Sequence, residues 1–284
     1  GAFIAQESDE AQLHHLASYQ LNSDIYSTER LTLAADLRRA IETDELELHF
    51  QPQFRFADHH ICGLEALLRW PGQDLTPDVL VAVAEETGLI KPLTRWVLAR
   101  ALEMRARLVD AGHGDVSVSV NVSANNLREP DFIDFVRRLL DDSGAPGEGL
   151  IVELTETAMM VEPLSAMQML SELNETGVRV AIDDFGAGYS SLSYLKQLPA
   201  SEIKIDKALI QDIPYQPDAR LIVRTTIEMS HNLGYRVVGE GVEDAATAEL
   251  LRELGCDLIQ GFYLARAMPP EEVMRRLNEL TPAS

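Results

Sequence analysis

The chain is predicted to be an α/β protein, a TIM-like (β/α)8 barrel with one antiparallel strand in an initial β-hairpin. Three observations carry this expectation. Short β-rich runs recur along the sequence, amphipathic stretches of helical length separate most of them, and only about ten residues part the first two runs. That gap is too short for a crossover helix, so the first pair must be antiparallel. Strands are expected at 46–51, 61–69, 116–122, 150–155, 178–183, 202–205, 236–240 and 258–260. An open doubly wound sheet is the competing architecture, but the glycine-rich phosphate turn that usually follows its first strand is missing.

Taken in order, residues 1–28 show no sustained period and read as a lead-in with a short helix near 11–19. The domain proper is expected over 29–284. Thr28 is placed to cap a first helix over 29–41, where Leu31, Ala34, Ala35, Leu37, Arg38 and Ile41 follow helical spacing. Later helices are expected at 94–111, 132–142, 164–176, 218–233 and 245–254. Each is followed by a glycine suited to a left-handed C-terminal cap: Gly112, Gly144, Gly177, Gly234 and Gly255.

Composition narrows the function. The 24 basic residues against 46 acidic ones give a net charge of −22, which repels polymeric nucleic acid. An anionic substrate stays compatible if metal ions reverse the local field. The two cysteines, Cys62 and Cys256, are too few for a disulfide framework and fit a reduced cytoplasmic setting as small buried residues. No apolar run approaches the roughly 20 residues of a membrane span. The N-terminus lacks a basic-then-apolar signal segment. The chain opens at Gly1 without an initiator Met and reads as a piece of a longer protein, itself cytoplasmic or tethered to the inner membrane. The seven histidines, including the pairs His14-His15 and His59-His60, show no ligand spacing and are expected at the surface.

In barrels of this type the active site forms at the carboxyl ends of the strands. The polar residues collect there. Asn121 closes the third run, Glu153 sits late in the fourth, and Asp183 and Asp184 follow Val180-Ala181-Ile182 in the fifth. Glu240 and Gln260 end the seventh and eighth, and Glu65 lies within the second. Lys204 alternates with Ile203 and Ile205, which sends the lysine into the barrel and the isoleucines toward the helices. Any one of these reads equally well as a solvated strand end; the whole set, flanked by core residues, does not. Converging carboxylates need protons, hydrogen bonds or cations. Oxygen-only ligands favour Mg2+ or Mn2+ over Zn2+. An adjacent Asp-Asp pair suits two ions about 3.5–4 Å apart, which activate water and stabilise the leaving oxygen of a phosphodiester.

These residues also resemble the EAL-domain family of cyclic di-GMP phosphodiesterases. The likeness spans roughly residues 29–270. It is carried by Glu65-Ala66-Leu67 with Arg69-Trp70, Ala84-Glu85-Glu86-Thr87-Gly88-Leu89, Asn121-Val122-Ser123 and Glu153-Leu154-Thr155-Glu156. It continues through residues 183–192, Lys204-Ile205-Asp206, Glu240-Gly241-Val242-Glu243 and Gln260-Gly261-Phe262. One triplet would carry nothing; the ordered set is specific. The resemblance implies hydrolysis of cyclic di-GMP to linear 5'-pGpG by a water that two metal ions, Mg2+ or Mn2+, activate in each active site.

Carried onto matching positions, Glu65, Asn121, Glu153 and Asp183 would hold one ion. Asp183 would bridge to the second, completed by Asp184 and Glu240. Lys204 would contact the attacking water or the phosphate, Glu240 is the candidate general base, and Glu65 joins them as a catalytic group. Gln51, Arg69 and Gln260 are expected at the substrate, while Glu156 and Glu243 would stabilise loops, Glu156 that of residues 183–192. The resemblance also implies a homodimer built near that loop and a sensory or GGDEF-type domain ahead of the first helix. Leu80, Ala82, Ala187 and Gly239 stand where the family tends to have Phe, Pro, Thr and Ala, and the stretch 71–74 is short. None of these removes a candidate ligand. Two other readings are a module that binds cyclic di-GMP without turnover and an enolase-like Mg-dependent barrel with Lys204 as base. The consecutive aspartates and the initial hairpin argue against the second.

Overall fold

The computed structural model describes residues 30–73, 75–186 and 192–280. Its strands close into a barrel in sequence order: β1 (Glu47–Arg55), β2 (Ile61–Arg69), β3 (Ser117–Asn121), β4 (Leu150–Thr155), β5 (Arg179–Phe185), β6 (Glu202–Ile205), β7 (Arg236–Gly239) and β8 (Leu258–Ile259). β1 runs antiparallel to both its neighbours, β2 and β8, and the pairs from β2–β3 round to β7–β8 are parallel. The expected hairpin is therefore present, longer than the sequence indicated at the end of β1. Its turn is held by Arg55, which pairs with Asp58 at 2.8 Å, while His59 takes a left-handed φ of 56°.

Helices cover the outside. After α1 (residues 30–42) come α2 (Pro77–Glu86), α3 (Ile90–Asp110), α4 (Phe132–Ser143), α5 (Glu156–Val161) and α6 (Pro163–Glu175). The second half adds α7 (Leu192–Leu195), α8 (Lys207–Asp212), α9 (Pro217–Asn232), α10 (Ala245–Glu253) and α11 (Pro270–Leu280). The helices expected from residue 29 onward are all present, and all five capping glycines have φ between 62° and 88°. α3 begins earlier than expected, at Ile90. The expected set does not include α2, α5, α7, α8 or α11, although α2 and α11 each open on a proline, a first-turn signal. The lead-in, its helix near 11–19 and Thr28 lie outside the described residues. His113 corrects the expectation of surface histidines: it is buried, with Nε2 2.9 Å from Asn278 Oδ1. Both thiols are held protonated by burial, Cys62 with its pKa pushed up to about 11 and Cys256 to about 12. Among the described residues, no helix is long and apolar enough to cross a membrane.

Alternation sorts the strand side chains into two environments. Val118, Val120, Val152, Val180, Ile182 and Ile203 pack outward into the core beneath the helices. The alternate residues fill the lumen, and their polarity is stratified. On β5 the inward series reads Arg179, Ala181, Asp183; on β7 it reads Arg236, Val238 and then Glu240 just past the strand. On these two strands the base is charged, the middle apolar and the mouth acidic. At the base Glu202, 2% exposed, is gripped by Arg179 at 3.2 Å and Arg236 at 2.5 Å. Ala181, Val238, Ile151 and Leu258, all buried, separate that cluster from the mouth.

Removing one partner of a buried ion pair leaves charge uncompensated, but both arginines here keep some solvent contact. Glu202→Ala is therefore expected to destabilise the domain by about 2–3 kcal/mol, below the full buried-pair cost. Urea denaturation checks this; an unchanged midpoint would show that the pair is electrostatically idle.

Candidate active centre

Lys204 projects from β6 into the mouth and is 1% exposed. Its Nζ lies 2.7 Å from Glu153 Oε2, 2.8 Å from Glu240 Oε1, 3.2 Å from Asp183 Oδ1 and 3.5 Å from Glu65 Oε2. Each carboxylate comes from a different strand or strand end. Burial alone would lower the lysine's pKa. The fields of Glu153, Glu240, Glu65 and Asp183 outweigh it and hold the ammonium well above its ordinary value. The acids answer in kind. Burial raises Glu153 well above the carboxylate range, and it pushes Glu240 up to about 8 despite the attraction of Lys204. One ammonium cannot neutralise the cluster, so the centre is short of positive charge.

Asp183 and Asp184 are adjacent, and in a regular strand adjacent side chains point to opposite faces. Here the β5–β6 register shifts between Ile182 and Phe185, and Asp184 takes a φ of 53°. The irregularity behaves as a β-bulge that re-aims one side chain. As a result, carboxylate oxygens of Asp183, Asp184 and Glu240 all lie within 4.8 Å of one another. A left-handed φ costs about 1–2 kcal/mol in most residues, and aspartate bears it better than branched side chains. Asp183 Oδ1 accepts the Asp184 N–H at 3.0 Å, which steadies the turn. Burial, then the charge of Asp183, raises the pKa of Asp184. An oxygen-only donor set under mutual repulsion fits a hard divalent cation such as Mg2+ or Mn2+.

The remaining expected residues are placed as follows. Asn121 Nδ2 donates to Glu65 Oε1 at 2.8 Å. Gln260 Nε2 donates to Glu65 Oε2 at 2.5 Å and to Gln51 Oε1 at 3.1 Å, and Gln51 Nε2 donates to the Ala265 carbonyl at 3.0 Å. The structure thus brings Glu65, Asn121, Glu153, Asp183, Asp184, Lys204, Glu240, Gln51 and Gln260 together. Arg69 stands apart: its Nη1 donates to the Leu68 carbonyl at 2.8 Å, and it lines neither cavity at the mouth. Glu156 Oε2 accepts the Gly186 N–H at 3.1 Å, just past β5. Residues 187–191 of the loop assigned to Glu156 lie outside the described residues. Glu243 pairs with Lys207 at 2.6 Å, tying the segment after β7 to the start of α8. Sequence reasoning passed over Gln53, which is buried in the lumen and donates to Gln260 Oε1 at 3.0 Å.

Two cavities meet over the carboxylates. The larger, about 730 Å³, runs from Asn121, Asp183 and Asp184 to an apolar wall of Pro77, Val81 and Ile90. The smaller, about 240 Å³, is lined by Gln51, Lys207, Glu243, Gln260 and Phe262. They share Glu65, Leu67 and Glu240, so the acidic centre lies at the junction of the two.

Fold and site together define a barrel protein with an oxygen-rich, cation-seeking centre at the carboxyl ends of its strands. The chain belongs to the EAL domain family, whose model matches residues 34–267. It is 38% identical over 259 residues to the bifunctional diguanylate cyclase/cyclic di-GMP phosphodiesterase MucR of Pseudomonas aeruginosa, covering 90% of this chain and 38% of MucR. It is 40% identical over 248 residues to the cyclic di-GMP phosphodiesterase NbdA of the same organism, covering 86% of this chain and 32% of NbdA. The solved PaMucR phosphodiesterase in complex with c-di-GMP is 40% identical with a TM-score of 0.82, over 85% of this chain and 99% of that one. The chain spans about a third of the length of the curated relatives it matches.

The charge deficit has a measurable sign. With its folded pKa near 8 against an ordinary 4.5, Glu240 holds its proton more firmly in the folded than in the unfolded state. Across that interval the folded state binds more protons, so stability falls as pH rises. In EDTA, Tm is expected to drop between pH 5 and pH 8, with each 1 kcal/mol lost lowering it by about 2–4 °C. Glu240→Gln should flatten the profile; an equally steep profile in that variant would move the effect elsewhere.

Proposed function

We propose that this domain hydrolyses one phosphodiester bond of cyclic di-GMP to give linear 5'-pGpG, with two Mg2+ or Mn2+ ions in each active site. The observation that most supports this is the convergence of Asp183, Asp184 and Glu240 beside Lys204, where the two cavities meet. The ions would supply the positive charge that acidifies an attacking water and stabilises the departing oxygen. Glu65, Asn121, Glu153 and Asp183 would hold one, and Asp183, Asp184 and Glu240 the other. As its carboxylates turn to the ions, Lys204 would offer its ammonium to the phosphate or the attacking water. Glu240 is the candidate general base. Gln51 and Gln260 would position the dinucleotide across the smaller cavity, and Arg69 would swing from the Leu68 carbonyl to meet a phosphate. Glu156 and Glu243 would stabilise the loops that frame the site.

The likeness to MucR and NbdA supports cyclic di-GMP as the substrate, since both are named for its hydrolysis. A cytoplasmic homodimer formed near residues 183–192, within a parent carrying a sensory or GGDEF-type domain, completes the reading. The acidic surface argues against polymeric nucleic acid as a partner.

Incubation of the domain with cyclic di-GMP and Mg2+, Mn2+ or EDTA, followed by chromatography, should yield pGpG only with metal. Glu65→Ala, Asp183→Ala and Lys204→Ala should each lower the rate by ~100-fold or more while leaving the fold intact. Saturable binding without product would make the domain a sensor, and substantial activity in Asp183→Ala at saturating metal would sink the two-ion assignment.

A further inference from the structure

Gln53 is 2% exposed and lies inside the barrel on β1. Its Nε2 donates to Gln260 Oε1 at 3.0 Å, and Gln260 Nε2 donates in turn to Glu65 Oε2 at 2.5 Å. The direction of this relay is fixed by chemistry. The Gln260 NH2 is turned toward two acceptors, Glu65 Oε2 and Gln51 Oε1. Its oxygen then faces the other way, into a buried space, where it requires a donor. Gln53 is that donor.

The hairpin is built to admit it. Gln53 and Gly63 face each other across β1 and β2, and a Cβ on Gly63 would lie 2.3 Å from Gln53 Oε1. The Gln53 amide thus occupies space that a side chain at position 63 would claim. Gly63 has no left-handed φ to explain it, so the close approach is what calls for glycine here.

We propose that Gln53 is a positioning residue: by fixing the amide orientation of Gln260, it sets the rotamer in which Glu65 receives a metal ion. This rests on the reading that Glu65 is a metal ligand. Glu65 is held from two sides, by Gln260 on Oε2 and by Asn121 on Oε1. Without Gln53, Gln260 Oε1 is left without its donor in a buried space, and the amide, still drawn by Gln51 Oε1, is free to shift from the position in which it holds Glu65. An amide oxygen turned toward that carboxylate would repel it and move it from its place. Groups that orient a metal ligand from behind typically change affinity by about 10–100-fold when removed.

The test measures Mn2+ binding to the metal-depleted domain by electron paramagnetic resonance, alongside cyclic di-GMP turnover. Gln53→Met, similar in volume but without the donor, should weaken Mn2+ about 10-fold and lower kcat at limiting metal. KM for cyclic di-GMP should hold, and saturating Mn2+ should restore the rate. Gly63→Ala, which displaces the Gln53 amide without altering its chemistry, should reproduce the loss and serves if Gln53→Met does not fold. In a Gln260→Met background the Gln53→Met change should cost nothing further, because the relay is already cut. Wild-type Mn2+ affinity in both single variants, or an undiminished loss in the Gln260→Met background, would overturn the proposal. If the wild-type domain binds no Mn2+, the metal reading of Glu65 fails and the relay is read from the Gln260 side-chain amide protons by NMR. Those signals should shift in Gln53→Met; an unchanged spectrum would overturn the relay itself.

Discussion

An ammonium sealed inside a protein stays charged only where negative groups surround it. Lys204 is met by Glu65, Glu153, Asp183 and Glu240, which approach from different walls of the barrel. The arrangement demands closure: β2, β4, β5, β6 and the end of β7 must all be in register for one nitrogen to reach all four acids. It also leaves negative charge in excess, which is why burial can hold protons on Glu153 and Glu240. The lysine therefore does two things in the metal-free protein. It offsets part of the repulsion among the acids, and it marks the place where further positive charge would be most stabilising.

The rest of the lumen serves that centre by keeping other charge away from it. Along β5 and β7 the inward residues pass from arginine through alanine or valine to a carboxylate, so an apolar layer separates the arginines of the base from the acids of the mouth. Were Arg179 or Arg236 within reach of Asp183 or Glu240, it would satisfy the acids permanently and leave no call for a cation. Instead both arginines spend their charge on Glu202. Two ionic clusters share one barrel because alternation gives each strand an inward-facing row, and on β5 and β7 the middle of that row is apolar.

Much of this was legible in the sequence, for identifiable reasons. Strands of the barrel announce themselves by alternation, as in Ile203-Lys204-Ile205, and the short gap before Ile61 required a hairpin. Lys204 and its acids were legible because each lies within or at the end of a run of core residues. The way Asp183 and Asp184 reach one site was not. Alternation places neighbours on opposite faces, and only the shifted register and the left-handed φ of Asp184 undo that rule. Arg69 illustrates the reverse limit: its position was readable, but the rotamer that turns it onto the Leu68 carbonyl was not. Gln53 gave no signal either, since the first strand was expected to end at residue 51 and a polar residue beyond it reads as part of the turn. Its meaning depends on Gly63 and Gln260, which are brought beside it by strand pairing alone.

The balance of charge at the mouth also bears on what kind of ligand site this is. A cyclic dinucleotide is a dianion, and a cluster of carboxylates with a single ammonium would repel it. A pocket evolved only to recognise such a ligand would place arginines there, as the base of this same barrel does around Glu202. The mouth does the opposite: it gathers acids, distorts β5 to add Asp184 to them, and fastens Glu65 with amides from both sides. The crowded acids and the left-handed Asp184 raise the energy of the centre, which divalent cations would lower, while the amides hold Glu65 in place. On the proposed reading, strain of this kind, held by a rigid barrel around it, would prepare the site for chemistry on a phosphate rather than for its recognition alone.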